Sequence, residues 1–211
     1  MTTTIRRVTA LSGDERRELV RIYESSFPEE ERAGTDDLVL GIATNRICYV
    51  AELHGALVGF AVLVELAGAG CHFLEYTAVD RGLRGHGIGS VLLRHLRRDL
   101  AATHPDSAGV IFEVEDPGET TGEEADVRRR RIQFYVRNEA SVVGCAGAYR
   151  APNLAGTGTV PFLLMWLPLP AGPATVSGRA LRRCVRAILT ESYGLAQDAP
   201  LVEEVLRSLT C

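Results

Sequence analysis

The chain contains no lysine: every one of its 23 basic residues, in a length of 211, is arginine. A phosphate loop of the G-x-x-x-x-G-K-[ST] type is therefore excluded, because its lysine is the group that reaches the phosphates. Cysteine is scarce and scattered, at positions 48, 71, 145, 184 and 211, with no C-x-x-C pair. An odd, dispersed set predicts buried reduced thiols rather than a disulfide framework or a zinc site. The histidines at 54, 72, 86, 95 and 104 lack metal-ligand spacing, so no metal is expected. No run approaches the ~20 apolar residues of a membrane span. The nearest, residues 160–169, is short and interrupted by Pro161 and Pro168. The opening Met1-Thr2-Thr3-Thr4-Ile5-Arg6-Arg7 lacks the apolar stretch and cleavage site of a secretory leader. A net charge of -4 gives no footprint for generic nucleic-acid binding. These absences predict a soluble cytoplasmic protein with neither a membrane nor a nucleic acid as partner.

Apolar residues make up 46% of the chain and charged ones 24%, a globular balance, and the length suffices for a core without staples. A strand is expected near 3–9. Ser12-Gly13-Asp14-Glu15 reads as a capping box opening a helix that Pro28 stops. A second helix is expected over 36–44. Strands at 47–53 and 56–64 flank His54-Gly55, a tight-turn pair, and so form a hairpin. A strand at 71–79 leads into a helix over 84–100, with Ile88, Val91, Leu92, Leu96 and Leu100 on one face. A strand at 108–114 follows, then Thr121-Gly122-Glu123-Glu124 as a second capping box for a helix to about 138. Strands near 141–149 and 160–167 complete the set. Strand–helix–strand units at 71–114 and 108–149 imply a mixed α/β sheet with parallel neighbours. Residues 1–170 are read as one domain. The Pro/Gly stretch near 168–173 leads into a helical extension at 171–211, with helices near 177–194 and 199–211 beyond the main sheet.

The segment that carries chemistry joins the strand at 71–79 to the helix after it, through Arg84-Gly85-His86-Gly87-Ile88-Gly89-Ser90. Glycines let backbone N–H groups approach a ligand closely. A helix N-terminus adds unpaired donors and partial positive charge, and together these cradle phosphate. A dinucleotide fingerprint G-x-G-x-x-G does not fit, because Ser90 stands where its third glycine would fall. The pattern Arg84-x-x-Gly87-x-Gly89 resembles the pyrophosphate loop, [QR]-x-x-G-x-[GA], of the GNAT superfamily of acetyl-CoA-dependent N-acetyltransferases. Thr77-Ala78-Val79 before the loop and Ile88-Gly89-Ser90 with Leu92-Leu93 after it are similar to the same motif. Arg131-Ile132-Gln133-Phe134-Tyr135 resembles the family's helix that ends in a tyrosine beside the coenzyme thiol. The resemblance covers roughly residues 3–168. It departs at Arg128, where family members often have asparagine, and at Glu139-Ala140, where a glycine–aromatic pair is usual.

The resemblance implies a GNAT-like mixed, mainly antiparallel sheet flanked by helices. It implies acetyl transfer from acetyl-CoA, a co-substrate, to a primary amine of a small molecule or peptide by direct attack on the thioester. The coenzyme pyrophosphate would lie over 84–90 and its pantetheine along Thr77, Ala78 and Val79. An oxyanion donor would come from the backbone at 76–79. The acceptor would enter between the first two helices, near Tyr23, Phe27 and Glu29-Glu30-Glu31, and the loop at 150–160. Dimers are common for this fold, while the oligomeric state is left open.

Chemically, the amine must attack in its neutral form, so a general base is needed, and the departing thiolate gains from a proton donor. Tyr135 is the candidate donor. Glu75 is the first candidate base, because a carboxylate within Phe73-Leu74-Glu75-Tyr76 is costly unless paired or functional. Glu113 is the second, with Glu115 sharing its face by period two. A strand bulge would change which carboxylates meet. The run Arg128–Arg131 is read as a solvated helix face, with a contact from one of its arginines to a coenzyme phosphate as the alternative, and His86 is expected to sit outward in the loop. The sequence also accommodates a non-catalytic coenzyme-binding module, or a transferase of longer acyl groups from a coenzyme or carrier protein.

Overall fold

A computed structural model of the chain describes residues 2–144 and 149–209. The elements run β1 (Thr3–Val8), α1 (Gly13–Ser26), α2 (Thr35–Thr44), β2 (Ile47–Leu53), β3 (Ala56–Leu66), β4 (Cys71–Val79), α3 (Ile88–Thr103), β5 (Gly109–Glu115), α4 (Gly122–Arg137), β6 (Ser141–Val142), β7 (Arg150–Pro152), β8 (Thr159–Pro168), α5 (Gly178–Ala187) and α6 (Pro200–Ser208). The main sheet has the order β1-β2-β3-β4-β5-β8-β6, with β7 pairing the start of β8. It is mixed and mostly antiparallel, the β4–β5 pair being parallel. No helix among the described residues is long and apolar enough to cross a membrane.

Local chemistry sets these boundaries. Ser12 caps α1 reciprocally: its hydroxyl accepts from the Glu15 amide at 3.3 Å, and the Glu15 carboxylate accepts from the Ser12 amide at 2.7 Å. His54 and Gly55 both take positive φ, 53° and 80°, which the twist of a two-residue hairpin requires. The helix expected from residue 84 begins only at Ile88. Gly85 and Gly87 hold φ of 84° and 80°, outside the right-handed helical region, so residues 84–87 are loop. The second capping box does not form. The Thr121 side chain makes no cap bond, and Thr120 donates to Glu124 instead, at 2.9 Å. The strand expected over 141–149 reduces to β6, its residues 145–148 lying outside the described ones. Nor are β5 and β6 neighbours: β8 inserts between them, antiparallel to both. Glu139, at the position where glycine is usual in GNAT proteins, takes φ of 71°, the left-handed conformation glycine adopts freely.

The sheet is covered on both faces. On one face α3 and α4 bury Leu92, Leu96, Leu100 and Tyr135 against Tyr49, Leu63, Val110, Phe112 and Met165. On the other, α1 and α2 cover the first half through Leu19, Ile22, Tyr23 and Leu38 against Val50, Phe60 and Val62. The second half of that face is covered by residues 178–209. Leu181, Val185, Ile188, Leu189, Val202 and Leu206 pack on Phe73, Ile111, Leu164 and Trp166. The C-terminal helices thus complete the layer that α1 and α2 begin, on the sheet itself.

Candidate active site

Two irregularities open the sheet at its centre. The parallel strands β4 and β5 pair only through His72–Val110 and Phe73–Ile111, then diverge. Beyond Phe73, β4 therefore has no ladder partner on its β5 side, and the backbone groups on that edge face the gap. The second irregularity is a bulge. Val62 of β3 pairs with Tyr76 and Leu63 with Leu74, which leaves Glu75 as the extra residue. The bulge reverses the alternation of β4. Phe73 and Tyr76 therefore belong to the face of α1, α2, α5 and α6, while Leu74 belongs to the face of α3 and α4. Glu75 follows Tyr76 to the former face, where β5 also presents Glu113.

A cavity of about 580 Å³ passes through this gap. On the α3/α4 side it is lined by the glycine loop (Gly85, Gly87, Gly89, with Ser90), by Thr77, Ala78, Val79 and Arg84, and by Phe134 and Tyr135. Arg130 and Arg137 also line the cavity, and Arg131 lies between Arg84 and Glu31. On the other side it reaches Phe27, Glu31, Glu75, Glu113 and Phe162. One end is cationic and rich in backbone donors, and the other combines aromatic rings with three carboxylates.

At the cationic end, Gly87 is the N-cap of α3, and a Cβ placed on it would meet nothing within 4 Å. The space above it is open to a ligand. A Cβ on Gly89 would come within 3.0 Å of Phe134, so glycine there lets α4 close on α3. Arg84 is tied back, donating to the Val79 carbonyl and to Ser26, both at 3.2 Å. His86 does not line the cavity, and its ring turns to the carbonyls of Leu83 and Arg84, at 3.2 and 3.1 Å. Thr77 donates to the Phe60 carbonyl at 3.2 Å. Of the arginine run, Arg128 is drawn to the Asp116 carbonyl and Glu124, and Arg129 to Asp126. Arg131 pairs with Glu115, which occupies that carboxylate.

At the acidic end the two carboxylates differ in partners. Glu75 is ion-paired with Arg46 through Nε and Nη2, the latter at 3.3 Å, and accepts the Ser192 hydroxyl at 2.8 Å. Its side chain is 7% exposed, so the pairing holds its charge in place. Glu113 has no cationic partner. Its two oxygens accept the hydroxyls of Tyr149, at 2.5 Å, and Tyr193, at 2.7 Å. Burial pushes its carboxyl up to about 7, against the opposing pull of the two tyrosines. Glu31 is likewise raised to about 7 by burial. Tyr135 is buried, which lifts its phenol to about 12. None of the cavity's described lining residues is a histidine or cysteine.

The acidic end is roofed by two loops joined to each other. Tyr23 donates to the Ala33 carbonyl, Tyr76 accepts from the Ala33 amide, and the Leu154 amide donates to the Glu30 carbonyl. The segment after α1 and the β7–β8 loop thus meet over the carboxylates.

Residues 16–104 match the sequence model of the Acetyltransferase (GNAT) family. Solved structures of that family superpose over most of the chain. The chain has a GNAT fold. A GNAT-family protein from Bacteroides thetaiotaomicron is 22% identical with a TM-score of 0.67, the alignment covering 85% of this chain and 92% of that one. Aminoglycoside 6′-N-acetyltransferase, solved in complex with coenzyme A, is 19% identical with a TM-score of 0.62, over 81% of this chain and 99% of its own. The ribosomal-protein-S18-alanine N-acetyltransferase of Escherichia coli is 18% identical with a TM-score of 0.54, over 84% and 97%. At these identities the likeness establishes the fold. No curated protein matches the sequence. The GNAT match ends at residue 104 and so includes Glu75 and the glycine loop but neither Glu113 nor Tyr135.

Four polar residues of the site are absent from the sequence reading: Arg46, Tyr149, Ser192 and Tyr193. Arg46 lies just before β2, and Ser192 and Tyr193 close the π-helical turn that extends α5. No motif marks them. The one available signal was polar residues set in an otherwise apolar run after 184.

Proposed function

We propose that the protein is a cytoplasmic N-acetyltransferase that moves an acetyl group from acetyl-CoA to a primary amine of a small molecule or peptide. One observation carries this reading. A single cavity crosses the sheet between splayed strands, with a glycine loop and arginines at one mouth and a buried, cation-free carboxylate at the other. Phosphates suit the first mouth, through unpaired backbone donors at the start of α3 and the charges of Arg84, Arg130 and Arg137. A protonated amine suits the second, between Glu31, Glu75 and Glu113.

Glu113 takes the proton that the incoming ammonium must lose, directly or through a water, because its carboxyl titrates near neutrality. Glu75, ion-paired with Arg46, orients the amine. This reverses the preference for Glu75 that the sequence alone supported. Amide groups on the open edge of β4 face the carbonyl as negative charge develops on it. As the nitrogen–carbon bond forms and the carbon–sulfur bond breaks, the nitrogen releases its second proton to water, Tyr135 donates its proton to the sulfur, and water then reprotonates the tyrosine. Its raised pKa keeps it protonated at neutral pH, as a donor must be.

Calorimetric titration with acetyl-CoA, followed by a thiol-release screen of cationic amines, tests the assignment. Micromolar binding and thiol release dependent on amine are expected. A folded protein that binds no acetyl-CoA removes the coenzyme assignment, and binding without thiol release to any amine removes the transferase assignment. A second expectation concerns Tyr193. Its hydroxyl stabilises the charged form of Glu113, so Tyr193→Phe moves the acid limb of the pH–rate profile upward by about one unit. An unmoved limb, with activity merely scaled down, would show that Tyr193 only packs.

A further inference from the structure

A second cluster lies at the closed end of the splay, away from the cavity. We propose that Glu65, His72 and His104 form a binding site for one divalent transition-metal ion of the zinc class. Glu65 is near the end of β3, His72 near the start of β4, and His104 follows α3. One ligand atom from each lies within 4.8 Å of the other two, a separation that a small rotamer adjustment closes onto a common ion.

The hydrogen-bond pattern leaves one ring nitrogen of each histidine without a hydrogen-bond partner at that point. His72 is 1% exposed, and its Nδ1 pairs with the Ser107 hydroxyl oxygen at 2.9 Å. Its Nε2 is fully buried with no partner. A buried imidazole nitrogen left unpaired is destabilising, and a metal bond would relieve it. His104 is fixed in the matching form. The Thr103 hydroxyl gives its one hydrogen to the Asp99 carbonyl at 2.8 Å, so its oxygen must accept from His104 Nδ1, also at 2.8 Å. That leaves the lone pair on His104 Nε2, 4.0 Å from the Glu65 carboxylate. Two acceptors thus face each other beside the orphaned nitrogen of His72, an arrangement that calls for a cation between them.

The remaining features agree with such a site. The two rings meet edge-on, with centroids 4.8 Å apart. Ser107 and Thr103 supply the outer partners that ligating histidines characteristically have. The Glu65 side chain is 60% exposed and His104 23%, so water can complete a four-coordinate shell. Two imidazoles and a carboxylate favour zinc-class ions over magnesium. The nearby positive charge of Arg7 is offset by Asp99, at 3.9 Å. The spacing 65, 72 and 104 spells no motif, so residue order alone does not point to a metal here. Because His72 sits opposite Val110, an ion here would pin β3, β4 and α3 beside the two residue pairs that hold β4 to β5.

The test is calorimetric titration of chelator-treated, full-length protein with zinc chloride, with the visible spectrum of the cobalt(II) form as a second readout. We expect one ion per chain, a tetrahedral cobalt spectrum and no competition from magnesium. His104→Ala and Glu65→Gln, both at accessible side chains, should each weaken zinc binding by at least about tenfold, and Ser107→Ala by about tenfold as an outer-shell change. Circular dichroism checks that the variants remain folded. Absence of stoichiometric zinc binding, or binding left unchanged in both His104→Ala and Glu65→Gln, overturns the assignment.

Discussion

Glu113→Gln should lower turnover by about 10²–10⁴-fold, the usual contribution of a positioned general base, while acetyl-CoA affinity stays unchanged. The amide keeps the shape of the carboxylate and can still bond both tyrosines, but it cannot accept a proton. In the unaltered protein the rate should rise with pH through about 7, because the working form of Glu113 is the ionised one and burial raises its carboxyl to that value. Stability runs the opposite way. The folded protein holds this proton more tightly than an unfolded glutamate does. The stabilising contribution is therefore complete below the unfolded value and is lost as pH rises through about 7. Glu113→Gln should accordingly gain stability relative to the parent at pH 8, by on the order of 3 kcal/mol, and gain little near pH 4. Thermal unfolding at the two pH values, beside steady-state rates, measures both effects. If Glu75→Gln abolishes turnover and Glu113→Gln spares it, the base is Glu75.

Gly87→Trp should abolish acetyl-CoA binding, with affinity falling more than about 100-fold, since an indole would fill the volume a pyrophosphate needs. The substitution separates ligand from fold. A Cβ at this position meets no protein atom within 4 Å, so the cost to folding is the backbone term of a side chain at φ 80°, about 1–2 kcal/mol. Gly87→Ala carries the same backbone term without the bulk and should keep most of the binding. Calorimetry on the two variants, with circular dichroism as the folding control, makes the comparison. Binding by the tryptophan variant at the parental affinity would move the coenzyme elsewhere.

Much of this architecture is legible in the residues. Ser12 with Glu15, the His54-Gly55 turn and the Arg84-x-x-Gly87-x-Gly89 loop are local features, and each determines its own backbone within a few residues. The start of α3 coincides with Ile88, where the apolar face begins, and the positive φ of Gly85 and Gly87 keeps residues 84–87 out of the helix that the sequence predicts from residue 84. The partners of the carboxylates were not legible, for a different reason. Glu75 meets Arg46 and Ser192, and Glu113 meets Tyr149 and Tyr193, through topology. Arg46 reaches Glu75 through the order of β2, β3 and β4, and the other three partners arrive through the insertion of β8 and the packing of α5, which no spacing rule encodes. The bulge at Glu75 is a similar case: one unpaired residue decides which face a carboxylate occupies, and nothing in Leu74-Glu75-Tyr76 announces it.

Ser192 and Tyr193 reach the two carboxylates from a turn that follows the whole sheet in the chain. During synthesis the strands and glycine loop that form the phosphate mouth therefore emerge well before the residues that set the acid–base groups. Glu75 and Glu113 gain these two partners only when residues 178–209 fold back onto β4, β5 and β8.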